Sequence, residues 1–408
     1  MKYQIEIELL RECGAEFVEA MAYHHSGAKR DVVRFERGRI VIESERKHRC
    51  TEEDVFMNLQ HSLYNQLVKV LLVHYCQAGS RAGIRRITVS ECHGAGPEPL
   101  FSRWFAADEN ENQNENENQN ENANANGMTP PLTPFPSEAR LPVAFPLEGA
   151  GSTREYPQPF CAFDGPVGFD VEALKGVLGE DDDSYRLRIV LLHWLSQGRY
   201  VGDRQRTLES VWRTFERLCE YHLHEALDKR FIVATGLSAM ISEVMSHSLR
   251  YPRTCAAVAG ETVESLRKLR WQEMIENNYP KTKPGSNMLK NYREYEANLI
   301  TPFVDERVVV LMQEVLVYRR SELQHYGLYA NVEAALRGKV ALRQRRDVDV
   351  VAVLCQYIYF LRNRLFHGQL TMRVSVFDDL NSDNMRLDFL NNMLETLCQE
   401  LINNRTRI

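Results

Sequence analysis

The sequence predicts a mainly α protein in which a C-terminal helical bundle follows a small N-terminal α+β domain. Three observations carry that expectation. The first ninety or so residues mix runs that alternate apolar and polar side chains with one long helical run. An asparagine-rich tract then interrupts the chain, and beyond it almost every segment is apolar at the helical period. The boundaries that follow are 1–107 for the α+β domain, to which the residues assign no role, 108–150 for a low-complexity and proline-rich linker, and 151–408 for the helical domain.

Within the first domain, "YQIEIELL", "VVRFE" and "RIVIES" alternate as half-buried strands do, and Arg37-Gly38 is placed to turn the second into the third. "TEEDVFMNLQHSLYNQLVKVLLVHY" reads as one helix with Thr51 as N-cap and acidic residues in its first turn. Its apolar stripe is Val55, Leu59, Leu63, Leu67, Val70 and Leu71. "IRRITVSE" reads as a further strand. His24, His25, His48 and His61 follow no metal-ligand spacing. In "ENENQNENENQNENANAN", Glu109 to Asn126, neither alternate set is apolar, so nothing offsets the entropy of ordering it, and a flexible tether is expected. The prolines of "MTPPLTPFPSEARLPVAFP" extend the irregular stretch.

After the tract, "SYRLRIVLLHWLSQGR" and "RTLESVWRTFERLCEYHLHEAL" are amphipathic helices, the second with Leu208, Val211, Trp212, Phe215, Leu218 and Cys219 on one side. Further helices are expected at "FIVATGLSAMISEVMSHSL", "VESLRKLRWQEMIENNY", "FVDERVVVLMQEVLVYRRSELQHYG", "VDVVAVLCQYIYFLRNRLFHG" and "NMRLDFLNNMLETLCQELINN".

Bulk properties exclude several classes. With 408 residues there is room for two or three cores, and 44% hydrophobic and 26% charged residues are ordinary globular proportions. A net charge of −6 gives no nucleic-acid signature, although a mildly acidic chain can carry a local basic groove. The N-terminus lacks the basic-then-apolar layout of a signal peptide, and no apolar stretch has the length of a membrane span. Nine scattered cysteines with no CxxC pair suit reduced thiols. The expectation is a cytoplasmic protein with no membrane partner.

The segment that asks for an explanation is YFLRNRLFHGQ, Tyr359 to Gln369, where a strongly apolar helix ends on groups that resist burial. Its buried stripe is Val350, Leu354, Tyr357, Ile358, Leu361 and Leu365. Asn363 and His367 share a face, Arg364 lies near them, and Arg362 sits about 140° around from His367 on an ideal helix. Gly368 fits a C′ position, which puts His367 at the helix end, where the helix dipole favours imidazolium. Arginine can hold a phosphodiester and stabilise its developing charge, and histidine can move protons at the 2′- and 5′-oxygens of RNA. The plain electrostatic reading is that helix C-termini favour Arg and His by up to about 1 kcal/mol whatever they do.

The string Arg362-Asn363-Arg364-Leu365-Phe366-His367 resembles the R-x4–6-H signature of the HEPN superfamily, and "RNRLFHG" is similar to the RN…FHG form of prokaryotic members. "LESVWRTFERLCEY" resembles their early bundle helix. The resemblance runs from about Ser184 to Ile408, its specific part being RNRLFHG, and the long separation of the two segments implies inserted helices. It implies an HEPN-like bundle that forms a homodimer, so that two motifs meet in one cleft. It also implies a metal-independent endoribonuclease of antiphage defence or toxin systems, with Arg362 and His367 as catalytic pair, Asn363 assisting, and neither cofactor nor metal. The implied partner is RNA, tRNA or single-stranded, with a regulatory protein or ligand at the N-terminal domain. Some members only bind, so the alternative is a non-catalytic RNA-binding or scaffold protein in a larger complex. A second alternative is an enzyme acting on free nucleotides.

Two further features belong to this reading. "RGKVALRQRR" supplies Arg337, Lys339, Arg343, Arg345 and Arg346 just upstream of the motif helix, a run that can track an RNA backbone alongside Arg364. Glu209 or Glu216 can supply an acidic partner to an arginine. His222 and His224, two apart, fall on different helix faces and do not make a joint metal site. "KTKPGSN" lacks the P-loop frame and reads as an exposed turn, and the chain has no GxSxG, HExxH or Rossmann fingerprint.

Overall fold

A computed structural model describes residues 1–10, 12–22, 30–78, 84–94, 96–105, 168–197, 204–226, 248–267, 269, 302–318, 324, 327, 329–366 and 382–405. Among these, 59% are helical and 21% lie in strands. They pack as two units: 1–105 together with Leu174–Arg188, and 168–173 together with the described residues from Ile189 onward.

The first unit is built on a six-stranded antiparallel sheet, order β2-β3-β4-β1-β5-β6. The strands are β1 (Lys2–Leu9), β2 (Phe17–Ala22), β3 (Arg30–Glu36), β4 (Arg39–Glu45), β5 (Ile84–His93) and β6 (Gly96–Trp104). This sheet corrects the expectation of a mainly α chain: the architecture is α+β, and the sheet has six strands where the sequence had suggested four. The two unread strands are its edges. β2, "FVEAMA", is half alanine and glutamate, which are poor strand formers, and β6 opens on Gly96-Pro97 with Pro99 two residues on, which only an edge tolerates. At the β2 edge Ala20 N–H donates to the Glu19 carboxylate (3.3 Å), occupying a backbone donor that would otherwise invite another strand.

Arg37-Gly38 makes the expected two-residue turn, with Glu36 opposite Arg39. The period-two pattern sends Tyr3, Ile5, Ile7, Val33, Phe35, Ile40, Ile42, Ile87 and Val89 to one buried face. The other face carries cross-strand ion pairs: Arg39 with Glu6 (3.0 Å) and Glu36 (2.6 Å), Arg86 with Glu8, and Arg34 with Glu43.

The expected long helix is two helices, α1 (Glu52–Phe56) and α2 (Ser62–Ala78). Thr51 does cap α1: its hydroxyl accepts from Asp54 N–H (3.2 Å), and the Asp54 carboxylate accepts from Thr51 N–H (3.0 Å). The break comes from side chains that satisfy the intervening backbone. Asn58 Oδ1 accepts from Gln60 N–H (3.1 Å), and His61 Nδ1 accepts from Leu63 N–H (3.3 Å) at the start of α2. Leu59, counted in the stripe, therefore sits in the turn and is 69% exposed.

The buried sheet face is covered by α2, whose apolar side chains Leu63, Leu67, Val70 and Val73 are buried with it. A polar seam runs through this core. Arg46 makes a fork with Asp31 (2.8 and 2.7 Å) and donates to Ser62 Oγ (2.9 Å), while Gln66 donates to Asp31 (2.9 Å).

The later helices are α3 (Val171–Lys175), α4 (Asp182–Gln197), α5 (Arg204–Ala226), α6 (Pro252–Ala259), α7 (Val263–Arg267), α8 (Glu306–Tyr318), α9 (Tyr329–Ala341), α10 (Asp347–Phe366) and α11 (Ser382–Asn403). All six predicted core residues of α5 are buried. The core of the second unit is α10 and α11, each packing with α5 and α6. Neither has a single apolar stripe. In α10, Val351, Ala352, Val353, Cys355, Gln356 and Phe360 are buried as well as Val350, Leu354, Tyr357, Ile358 and Leu361, so the helix is enclosed on all sides. Most of "FIVATGLSAMISEVMSHSL", the later part of "VESLRKLRWQEMIENNY" and the "KTKPGSN" turn lie outside the described residues.

Two polar clasps fix the ends of these helices. Arg307 on α8 is 1% exposed. It forks onto Asp305 (2.8 and 2.8 Å), reaches Asp347 at the start of α10 (2.6 Å), and donates to the carbonyls of Val258 (3.0 Å), Ala259 (3.3 Å) and Glu261 (3.1 Å) at the end of α6. At the other end of α6, the Glu400 carboxylate accepts from Arg253 N–H (2.7 Å), Thr254 N–H (2.8 Å) and Thr254 Oγ1 (2.7 Å), capping that helix from α11.

Candidate functional site

The site begins where α10 runs out of apolar residues. Tyr359, one turn before Asn363, stacks on Trp212 of α5 with centroids 5.8 Å apart and planes at 28°. Trp212 is fully buried, its indole N–H donates to Glu216 (2.7 Å), and Phe215 packs beside it (5.3 Å). This aromatic contact anchors the C-terminal turns of α10 on α5. It also assigns Glu216 to the indole rather than to an arginine of the motif.

Just past this anchor, Arg362 and Asn363 are both half-buried, and the Arg362 guanidinium donates to Asn363 Oδ1 (3.0 Å). Consecutive helix residues diverge by about 100°, so this bond draws the two side chains together across the helix surface. The asparagine carbonyl thereby orients the arginine, leaving its amide as a donor. Arg364 lies on the described backbone of α10, but its side chain lies outside the described set, and His367 and Gly368 lie outside it altogether.

The basic run is divided by the fold. Lys339 donates to the Phe303 carbonyl (2.8 Å), and burial pushes its ammonium pKa down, with Asp349 opposing. Arg346 pairs with buried Asp349 (Nε at 2.6 Å) and donates to the Pro302 carbonyl (2.6 Å). These two residues tie the turn between α9 and α10 to the start of α8. Arg337 pairs with Glu333 one turn earlier (2.7 Å) and Arg345 with Glu306 (2.9 Å), both at the surface. Arg343 is exposed and holds a left-handed backbone at φ 47° in the turn that ends α9. Glu209 pairs with Arg213 of its own helix (2.6 Å).

Among the described residues no cluster of three or more His, Cys, Asp or Glu side chains can hold a metal ion, and no helix is long and apolar enough to cross a membrane. His61 is the helix-capping residue of α2, and the His48 carbonyl accepts from Tyr3 Oη (3.3 Å). The side chains of His222 and His224, and His24 and His25 entirely, lie outside the described residues.

Sequence reasoning passed over three groups of buried polar residues: Asp31, Arg46, Gln66 and Lys69 of the first unit, Arg307 and its acceptors in the second, and His74. The last is fully buried on α2 with Nδ1 4.0 Å from Cys13 Sγ. Each is one or two polar residues inside an otherwise apolar or mixed run, a signal no stronger than that of a surface position. Comparison with known protein families, curated proteins and solved structures finds no match for this chain.

Proposed function

We propose that the chain is a metal-independent endoribonuclease of the HEPN type, acting as a homodimer through Arg362, Asn363 and His367. The observation that carries the reading is the string RNRLFHG, whose first five residues end α10, with Arg362 and Asn363 hydrogen-bonded to each other (3.0 Å) and both half-buried. A guanidinium oriented in this way can meet the non-bridging oxygens of a phosphodiester without first losing its conformational freedom. In the proposed reaction His367 takes the proton of the RNA 2′-hydroxyl. The 2′-oxygen then bonds to phosphorus as the bond from phosphorus to the 5′-oxygen of the next nucleotide breaks, and that oxygen takes a proton from water. The products are a 2′,3′-cyclic phosphate and a 5′-hydroxyl. Arg362 offsets the charge that builds on the phosphoryl oxygens, and Asn363 fixes Arg362. A role in defence or as a toxin rests on the resemblance alone.

The substrate side gives the test. An oligoribonucleotide should be cut to those two ends, while the same sequence with 2′-deoxynucleotides should be bound and left intact. Cutting of the deoxy strand, or products with a 5′-phosphate, would rule out attack by the 2′-hydroxyl. Hydrolysis of free nucleotides in place of polymers would favour a nucleotide-acting enzyme.

A further inference from the structure

We propose that residues 174–188 are a strap that completes the N-terminal sheet unit, so that residues 1–105 carry a binding surface whose partner is a segment of the same chain from beyond the asparagine-rich tract. This segment is separated from the sheet by residues 105–173, yet it packs as part of the sheet's own unit. Leu174, Val177, Leu178 and Leu187 are each at most 1% exposed, and the 3-10 turn Gly176–Leu178 lies against both α2 and β2.

The apolar contact is keyed by charge. Lys69, buried on α2, pairs with Glu180 of the strap, and the Lys175 ammonium lies 5.2 Å over the ring of Phe17 on β2. Burial pushes the Lys69 pKa down and the Glu180 carboxylate opposes that shift, so the strap supplies part of what keeps a buried ammonium tolerable.

The strap's shape is locally determined. Arg188 donates to the carbonyls of Val177 (3.2 Å) and Gly179 (2.8 Å), closing the turn on itself. A Cβ at Gly179 would collide with the hydroxyl of Ser184. Asp181 caps α4 by accepting from Ser184 N–H (2.7 Å). A segment with its own turn, cap and apolar face is the kind that docks as a unit.

The test uses the full chain with a site-specific protease sequence inserted between Asn126 and Gly127 and cut to completion, as judged on a denaturing gel. Cutting converts an intramolecular docking into a bimolecular one. The two pieces are expected to co-elute under native conditions at micromolar concentration. Val177→Asp/Leu178→Asp should separate them. Glu180→Gln should weaken their association by roughly tenfold, and in a Lys69→Met background it should change little, because the lysine it engages is gone. That coupling distinguishes a strap contact from simple misfolding. Pieces that part in the unmutated protein would overturn the proposal, as would pieces that stay together after the strap's apolar face is charged. If the inserted site resists the protease, co-expression of 1–126 and 127–408 as two chains asks the same question with the same outcomes.

Discussion

Arg307→Met isolates the charge and hydrogen bonds of the second unit's main clasp while keeping most of the side-chain volume. The wild-type guanidinium is 1% exposed and serves Asp305, Asp347 and three carbonyls. After substitution Asp305 stays buried and keeps two backbone donors, Arg307 N–H (2.9 Å) and Arg346 N–H (2.7 Å), but loses its counter-charge. Removing one partner of a buried ion pair costs about 3–5 kcal/mol. Each orphaned carbonyl would add about 1–3 kcal/mol if nothing relaxed, but the α6 end can reach water, so the terms overlap and we take about 3–5 kcal/mol as the whole. Against a domain stability of about 5–15 kcal/mol, that is about a fifth or more. Arg307→Lys should lose nearly as much, because an ammonium cannot reproduce the planar fork. The assay is urea unfolding by tryptophan fluorescence in a Trp104→Phe/Trp271→Phe background, so that Trp194 and Trp212, both in the helical unit, report. A loss below about 1 kcal/mol for Arg307→Met would refute the view that this clasp holds α6, α8 and α10 together.

Other expectations follow from the same geometry. Glu400→Ala removes the acceptor of three donors at the start of α6 and should lower the stability of the second unit by about 1–3 kcal/mol, read by the same urea series. Arg343→Gly relieves a left-handed backbone at φ 47° and should raise stability by up to about 1 kcal/mol, a gain that a melting curve would show. Burial pushes the His74 pKa below its usual 6.5, so below that pH the unfolded chain takes up a proton that the fold refuses. Stability of the first unit is then fully present above pH 6.5 and falls as the pH drops further. His61, also lowered by burial against the pull of Asp54, adds to the slope. Unfolding midpoints between pH 7.5 and 5 should fall less steeply in His74→Gln, and an unchanged slope would contradict this.

What the sequence made legible divides along physical lines. Strands β1, β3, β4 and β5 announced themselves because one face is buried and the other carries charges, and Gly38 marked their hairpin. The edge strands did not, since an edge needs less apolar content and tolerates Pro97 and Pro99. That gap explains why the chain read as mainly α and is α+β. The stripe of α10 was partly legible, but Cys355, Gln356 and Phe360 show that a central helix is buried all round, where amphipathic periodicity is a weak guide. Of the candidate site, sequence located Arg362 and Asn363 but not the bond between them, because residues one apart are expected to diverge. The basic run looked uniform in sequence. Only packing shows that half-buried Lys339 and exposed Arg346 hold a turn in place through the Phe303 and Pro302 carbonyls and buried Asp349, while Arg337, Arg343 and Arg345 do not.

Whether the chain is a nuclease is decided by cleavage of tRNA and single-stranded RNA by the purified protein in EDTA, with His367→Ala and Arg362→Ala run beside wild type after both are checked for folding and dimerisation. Wild type should cut, and both variants should lose cutting. Cutting that survives His367→Ala would contradict the mechanism, and RNA binding without cutting by any of the three would favour the scaffold reading instead.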